Sequence, residues 1–408
     1  MHILIITNYW PPEIGAASHL TCELGETLVK FGHQVSVVTG LPRYNMESMP
    51  AEYRGRAVCR ETTNGMDVWR IATPETSRGS RIRRGFGHLA VAPLYALRGL
   101  RLRKVDVVYT VSPPLPMGLA ASAVATRFGA RFVLGVQDLF PQNAIDLGLM
   151  KNRTLIGCFE AMERFVYARA TSITVHSEGN REHVAARTKN PAKVHVLPNW
   201  VDTEFIRPAG RSNSFRELAG LNGEFVVLFA GTMGRSQGLD VAMDAARRLA
   251  GEPGLVFLMV GDGSERGRLE SMAAGLPNVR FLPMQPKNAY PELLATADAC
   301  LVTLATDVKT PVVPSKLLTI MAAERPVLAS LPLTGDAPRI ISDSGCGIAV
   351  EGGDARGLAE AALALKRDPA LAGRMARNGR RTAETEFSRE ACIRRFETVF
   401  QGTAEKSL

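Results

Sequence analysis

Several short stretches set glycine and a cation where an apolar run gives way to a helical pattern. The plainest is FAGTMGRSQGLDVAM, Phe229 to Met243, in which Gly231, Gly234 and Gly238 surround Arg235 and Gln237. Bare glycine backbone lets amides approach a ligand, helix starts favour negative charge, and a guanidinium adds a fixed positive one. Gripping a diphosphate requires those parts; the other reading of Arg235 is a solvated loop cation. In KTPVVPSKLLTIMAAERPVLAS, Lys309 to Ser330, Pro314 and Ser315 mark a helix start with Lys316 in its first turn. A cation there opposes the helix macrodipole unless an anion sits nearby. Lys316 therefore reads as a phosphate ligand, or else as a lysine turned to water.

Other loops carry weaker signals. TNYWPPEIGAASHL, Thr7 to Leu20, puts Gly15 between the first apolar run and the first helix, as an anion contact or a turn glycine. VGDGSERGRLE, Val260 to Glu270, turns on Gly261 and Gly263, and Ser264 is placed to cap the helix behind it. GVQDLFPQNAIDLG, Gly135 to Gly148, holds Asp138, either a turn former or an acid facing a substrate hydroxyl. In VHSEGNREHV, Ser177 or Glu178 caps a helix, and His176 reads as a strand residue.

These loops need strands to present them. Apolar runs are expected at 2–7, 34–39, 68–71, 106–111, 131–136, 172–176 and 193–197, with helices such as 16–31, 117–128 and 155–169 between them. That rhythm means βαβ units and a parallel sheet. VLPNWVDTEFIRP, Val196 to Pro208, is a punctuated connector. The pattern restarts at 225–230, 256–260, 279–282, 299–303, 326–329 and 347–350, and 359–400 reads as two or three closing helices. Two doubly wound α/β domains joined near residue 200 follow. Open sheets of this kind bind ligands beyond the carboxyl ends of their strands, where the loops above fall.

Composition narrows the class. At 408 residues, 46% hydrophobic and 22% charged, the chain suits a globular protein of two domains. The six scattered cysteines form no CxxC pair, so neither a disulfide framework nor a zinc site is expected; they read as small buried apolar residues. A strand begins at once, leaving no room for a signal peptide, and Pro113, Pro114 and Pro116 break the uncharged stretch from Val107 to Thr126. Cytoplasmic residence is expected. The net charge of +9 lies in the first half: residues 1–195 carry 24 Lys and Arg against 15 Asp and Glu, and residues 196–408 carry 25 of each. Residues 76–105 hold eight basic side chains and no acid, among them Arg81, Arg83, Arg84, Arg98, Arg101 and Arg103. Such a run is a solvated helix face or a patch for anionic lipid, phosphate or nucleic acid. The chain has no Asp-x-Asp metal clamp, no GxxxxGK[ST], and no GxGxxG after its first strand. A P-loop ATPase and a nicotinamide enzyme are therefore disfavoured.

Together with LATADACLVTL (Leu293 to Leu304), these loops resemble the GT-B glycosyltransferases of family 4 over nearly the whole chain. NYWPPEIGAA, GRSQGLD and VPSKLLTIMA look most like the capsule, O-antigen and colanic-acid subgroup. The resemblance implies two Rossmann-like domains facing a cleft. Residues 1–200 would bind acceptor, 201–385 would bind donor, and a terminal helix, 386–408, would pack back towards the first. It implies a retaining, metal-independent transferase that moves a sugar, an N-acetyl amino sugar in some relatives, from a UDP-linked donor with no bound cofactor. The Gly15 loop would close over the diphosphate, which Arg235 and Lys316 would neutralise. Gly231, Gln237 and Gly261 would line it, with Leu317 and Thr319 in the helix behind. Met284, in FLPMQPK, would hold the base through its backbone, and Asp138 is the candidate catalytic residue touching donor sugar or acceptor. The chain departs from the family pattern at two places. The usual E-x7-E acids fall on Pro311 and Thr319, and the usual Arg and Lys of the GR…KG loop fall on Thr232 and Gln237.

Acceptors of this subgroup are often built on membrane polyprenyl diphosphate, so the basic run implies peripheral binding to the inner face of the cytoplasmic membrane. Three alternatives share these features: a UDP-sugar 2-epimerase of the same fold, a nucleic-acid binder using the basic half, and a glycosyltransferase-like chain without activity. Arginines beside aliphatics, with few aromatics for stacking, favour a membrane over nucleic acid.

Overall fold

The computed structural model describes residues 1–13, 16–43, 48–73, 81–146, 148–306 and 313–403; the side chains of Ala16 and of residues 81–88 lie outside that description. The chain divides into two compact units, Met1–Asn199 with Cys392–Leu408, and Trp200–Ala391.

The first unit is built on an eight-stranded sheet. Its strands are β1 (His2–Ile6), β2 (Gln34–Gly40), β3 (Val58–Thr63), β4 (Met66–Ile71), β5 (Val107–Ser112), β6 (Arg131–Val136), β7 (Ser172–Val175) and β8 (Val194–Val196). They lie in the order β3-β4-β2-β1-β5-β6-β7-β8, parallel throughout except where β3 runs antiparallel to β4. HILII and the other runs are apolar at nearly every position because helices cover both faces of the sheet. Chain direction across the sheet reverses between β1 and β5, so the loops after those two strands flank a ligand crevice by construction.

β3 is absent from the sequence-based strand set. It forms a hairpin with β4 through Asn64 and Gly65, both at positive φ, with Thr63 paired to Met66. Asn-Gly between alternating residues is a hairpin signal, but the edge position keeps VCRETT polar, so no apolar run marks β3. In the closing helix Arg389–Gln401, residues from Cys392 onward belong to the first unit. Phe396 and Phe400 pack on Tyr109, at ring distances of 6.1 and 5.5 Å, and Glu397 pairs with His33 at 2.8 Å.

The second unit has a six-stranded, wholly parallel sheet: β9 (Phe225–Ala230), β10 (Leu255–Val260), β11 (Val279–Leu282), β12 (Ala299–Thr303), β13 (Val327–Ser330) and β14 (Gly347–Val350). Its order, β11-β10-β9-β12-β13-β14, reverses between β9 and β12. Side chains alternate by face. Val226, Leu228 and Ala230 join one core cluster, and Val227 and Phe229 join the cluster on the other side. Helices Ala355–Arg367 and Pro369–Glu386 close this unit, the first capped by Asp354 accepting from Gly357 N–H. Among the described residues no helix is long and apolar enough to cross a membrane. Of the cysteines, Cys158 departs from the expected burial and is exposed, and Cys59 is half-buried.

Candidate functional site

In the second unit the reversal point puts two loops side by side, one after β9 and one after β12. The β9 loop leads through Gly231 to a single 3-10 turn, Arg235–Gln237, before helix Asp240–Arg248. The carbonyl of Ser236 in that turn accepts from Ala305 N–H, 2.9 Å, which ties the two loops together. The β10 loop locks onto the β9 loop by backbone alone: Gly231 N–H donates to Val260 (2.9 Å), Met233 N–H to Asp262 (2.8 Å) and Glu265 N–H to Met233 (3.0 Å). This approach requires glycine at 261. Its φ is +153°, and a Cβ there would lie 1.8 Å from the Gly231 carbonyl oxygen.

Lys316 enters from the first turn of helix Ser315–Ala322, behind the β12 loop. Its Nζ donates to Gln237 Oε1 at 2.6 Å and lies 4.0 Å from the centre of the Phe229 ring. It lies against Gly231: a Cβ at 231 would stand 3.6 Å from that Nζ, an ordinary van der Waals contact. Burial strips water from the ammonium and lowers its pKa to about 8. Half-buried between Gln237 and the Phe229 ring, Lys316 is not a lysine turned to water. A poorly hydrated cation among glycine backbone, at a helix start that itself favours anions, is an arrangement suited to negative charge. Phe229 was not singled out in the sequence, although its place as the residue two before Gly231 fixes it beneath the loop.

The remaining candidates of this unit separate. Arg235 is exposed on the 3-10 turn, and Met284 is 48% exposed after β11. Leu317 is wholly buried in the core, and its N–H donates to the Pro314 carbonyl, so neither its side chain nor its amide is offered to a ligand. Thr319 is half-buried; its hydroxyl donates to the Lys316 carbonyl at 2.9 Å and also bonds Tyr290. Ser264 does not cap: the helix begins at Arg266 without a side-chain cap. Arg266 does the fastening instead, with Nη1 donating to the Gly261 carbonyl (2.7 Å) and the Leu282 carbonyl (3.3 Å), and Nε to Glu270 (2.8 Å). Of the two positions where acids were expected from the family pattern, Pro311 lies outside the described residues, as does Gly15 in the first unit.

In the first unit Asp138 stands exposed in the bend after β6. Its carbonyl accepts from Phe140 N–H at 3.0 Å, and its carboxylate makes no hydrogen bond or ion pair among the described residues. Beside it, the Gln137 and Asn199 amides pair reciprocally at 3.2 and 3.1 Å. Ser177, not Glu178, caps helix Glu178–Ala185, accepting from Asn180 N–H. The basic patch is smaller than its sequence. Arg81, Arg83 and Arg84 open helix Arg81–Gly99, and their side chains are outside the description. Arg98 is committed elsewhere: its guanidinium stacks 3.1 Å from the Trp69 ring centre, and burial lowers its pKa. Arg101 and Arg103 are exposed, next to Leu97 (59% exposed) and Leu100 (36%).

Two family models match the chain: a glycosyl transferase 4-like domain over residues 15–200, and glycosyl transferases group 1 over residues 224–368. WcaI of Escherichia coli (strain K12), assigned by its name to colanic acid biosynthesis as a glycosyl transferase, is 30% identical over 79% of this chain and 81% of its own. Among solved structures, a sucrose-phosphate synthase from Thermosynechococcus elongatus superposes with a TM-score of 0.75 at 18% identity, covering 98% of each chain. Anabaena HepE in complex with UDP gives a TM-score of 0.74 at 15% identity over 98% of this chain and 100% of that one.

Proposed function

This chain belongs to the family 4 glycosyltransferases of the GT-B type, and from that premise we propose that it moves an N-acetyl amino sugar from a UDP-linked donor to a lipid-linked acceptor in surface polysaccharide synthesis. The observation that carries the donor half is Lys316: a desolvated ammonium held by Gln237 over glycine backbone at a helix start. The nucleotide reading is supported by the UDP that HepE, of the same fold, holds. The place in surface polysaccharide synthesis is supported by the likeness to WcaI, whose name assigns it to colanic acid biosynthesis.

In the proposed reaction the bond between the anomeric carbon and the diphosphate oxygen breaks, and negative charge collects on the leaving phosphate. Lys316 and Arg235 stabilise that charge, and Gly231 and Gly261 let the phosphates reach the backbone. An acceptor hydroxyl attacks the face the phosphate leaves, which retains configuration, and its proton passes to the departing phosphate oxygen. Asp138 contacts the sugar or the acceptor, Gly15 contacts the phosphates, and Met284 lies along the base. No metal is needed, because the two cations supply the positive charge.

A thermal-shift panel of UDP, GDP, ADP and their sugars tests the donor half. UDP and a UDP-sugar are expected to raise the melting temperature, since a ligand of the folded state alone stabilises it. If only GDP or ADP does so, the base assignment is wrong; if none does, the donor reading falls. The UDP-sugar shift should also shrink as pH rises from 7 to 9.5. Its diphosphate keeps a constant charge over that range, while Lys316, titrating near 8, loses its own.

Arg101 and Arg103, with Leu97 and Leu100, are the proposed contact with the inner face of the cytoplasmic membrane. The protein should co-sediment with vesicles rich in anionic phospholipid at low salt. Reversing both charges (Arg101→Glu with Arg103→Glu) should cut the bound fraction at least tenfold, each basic residue near such a surface contributing about 1 kcal/mol. Indifference of the parent protein to those vesicles would remove the membrane proposal and leave the donor site untouched.

A further inference from the structure

The loop after β1 is pinned by a buried charge network with no part in the reading above. Arg70, on β4, is 2% exposed. Its Nε donates to Glu61 Oε1 at 2.8 Å, and its Nη2 donates to the carbonyl of Pro11. Its guanidinium lies 5.0 Å from the Tyr53 ring centre, and the Tyr53 hydroxyl donates to the other Glu61 oxygen at 2.9 Å. Two residues past Pro11, Glu13 is 6% exposed. One of its oxygens accepts from Trp10 N–H at 3.3 Å, and the other accepts from Arg43 N–H at 2.7 Å. Arg43 in turn donates from Nη1 to the Thr73 carbonyl at 3.2 Å.

The arrangement is costly for a merely structural purpose. A guanidinium and a carboxylate are taken out of water to tie one short loop to Glu61 and to the Arg43 backbone, and among the described residues Arg70 Nη1 is buried with no hydrogen-bond partner. An apolar pair would fill the same volume without that penalty. A cation aimed at a single carbonyl specifies where that carbonyl lies. The carbonyl belongs to the segment between β1 and Gly15, on the flank of the reversal point in the first sheet.

We propose that Arg70 and Glu13 are positioning residues for glycosyl transfer, fixing residues 9–13 in the pose that donor binding requires. Neither touches substrate. The inference rests on the reading of Gly15 as a phosphate contact.

The test uses the full chain with Arg70→Lys, Arg70→Met, Glu13→Gln and Gly15→Val. Amide exchange at Tyr9, Trp10 and Glu13, the members of the 9–13 segment that carry an N–H, reads the pose directly without ligand. Arg70→Lys keeps the charge but not the fork that serves Glu61 and Pro11 together. It should speed exchange at 9–13 at least tenfold and leave β6 to β8 at the parent rate. UDP affinity should fall roughly tenfold in Arg70→Lys and Glu13→Gln. Combining Arg70→Lys with Gly15→Val should cost much less than the product of the single losses, since both act through one loop. Unchanged exchange at 9–13 in Arg70→Lys overturns the proposal. So does faster exchange spread evenly over the first unit, which marks Arg70 as a general support. Fast exchange at 9–13 with UDP binding intact in Gly15→Val keeps Arg70 as the loop's anchor and sinks the phosphate role of Gly15 instead. Should Arg70→Met fail to fold, Glu13→Gln reads the same segment from its other end.

Discussion

Replacing Lys316 with methionine is expected to weaken UDP binding by about a hundredfold and to raise the melting temperature of the ligand-free protein by a few degrees. The first effect follows from removing a charge-assisted contact to phosphate, worth about 1.5–3 kcal/mol. The second runs the other way because the ammonium is badly solvated in the folded state. Burial holds its pKa at about 8 against 10.5 for an ordinary lysine, which corresponds to a cost on the order of 3 kcal/mol for the charged form at neutral pH. Burial alone causes that shift; the bond to Gln237 and the Phe229 ring offset part of the cost, and methionine keeps an unbranched stem over the ring. The linkage has a definite sign. The folded pKa lies below the unfolded one, so between about pH 8 and 10.5 the unfolded chain holds the extra proton and stability rises with pH. Lys316→Met should lose that rise. Calorimetric titration with UDP and melting curves from pH 7 to 10 check both halves. A variant that binds UDP like the parent would remove Lys316 from the donor site. A variant that melts lower would show the lysine to be a stabilising contact, not a strained one. A residue kept at a cost to the free protein is what a binding site demands, and a structural lysine does not explain it.

What could be read without coordinates divides along physical lines. The parallel strands were legible because a strand covered on both faces must be apolar throughout, and FVVLFA or LVFLMV has no other home. β3 was not, because an edge strand is polar and its only mark is the Asn64-Gly65 turn. Lys316 was legible as an oddity, a cation where the macrodipole disfavours one. Its partner Gln237 was legible only as a neighbour of glycines, because the bond between them spans 79 residues of chain. Charge runs mislead for the same reason. Arg98 counts towards a basic stretch in sequence, yet it lies flat on Trp69, a strand residue that no local window connects to it. Leu317 shows the opposite failure: the family resemblance implies a ligand contact there, but a helix turns successive residues about 100° apart, and the position after Lys316 faces the core. Arg70 and Glu13 were invisible because their contacts, to Glu61 and to backbone groups distant in sequence, leave no pattern there.

Gly261→Ala should cost the second unit roughly 3 kcal/mol or more, with loss of measurable UDP binding in whatever remains folded. Two penalties coincide. At φ of +153° an L side chain is strained by about 1–3 kcal/mol, and the added methyl group would meet a backbone oxygen, that of Gly231, at 1.8 Å. A flexible side chain could swing away from such a contact, but a carbonyl cannot move without its strand. The Gly231 N–H is bonded to Val260, and Met233 is bonded in both directions to the β10 loop, so the whole interlock must open. At about 2–4 °C per kcal/mol for a unit of this size, a drop of about 6–12 °C in its melting transition is expected. Gly267→Ala is the control: it lies in the following helix, where an added methyl group meets nothing within 4 Å, and it should be neutral or mildly stabilising. Equal melting of Gly261→Ala and Gly267→Ala would mean that the β9 and β10 loops do not interlock as described. If Gly261→Ala melts low but binds UDP normally, the interlock is real, but its shape is not what phosphate binding depends on. The two measurements together therefore separate the architecture of the loop pair from its proposed use.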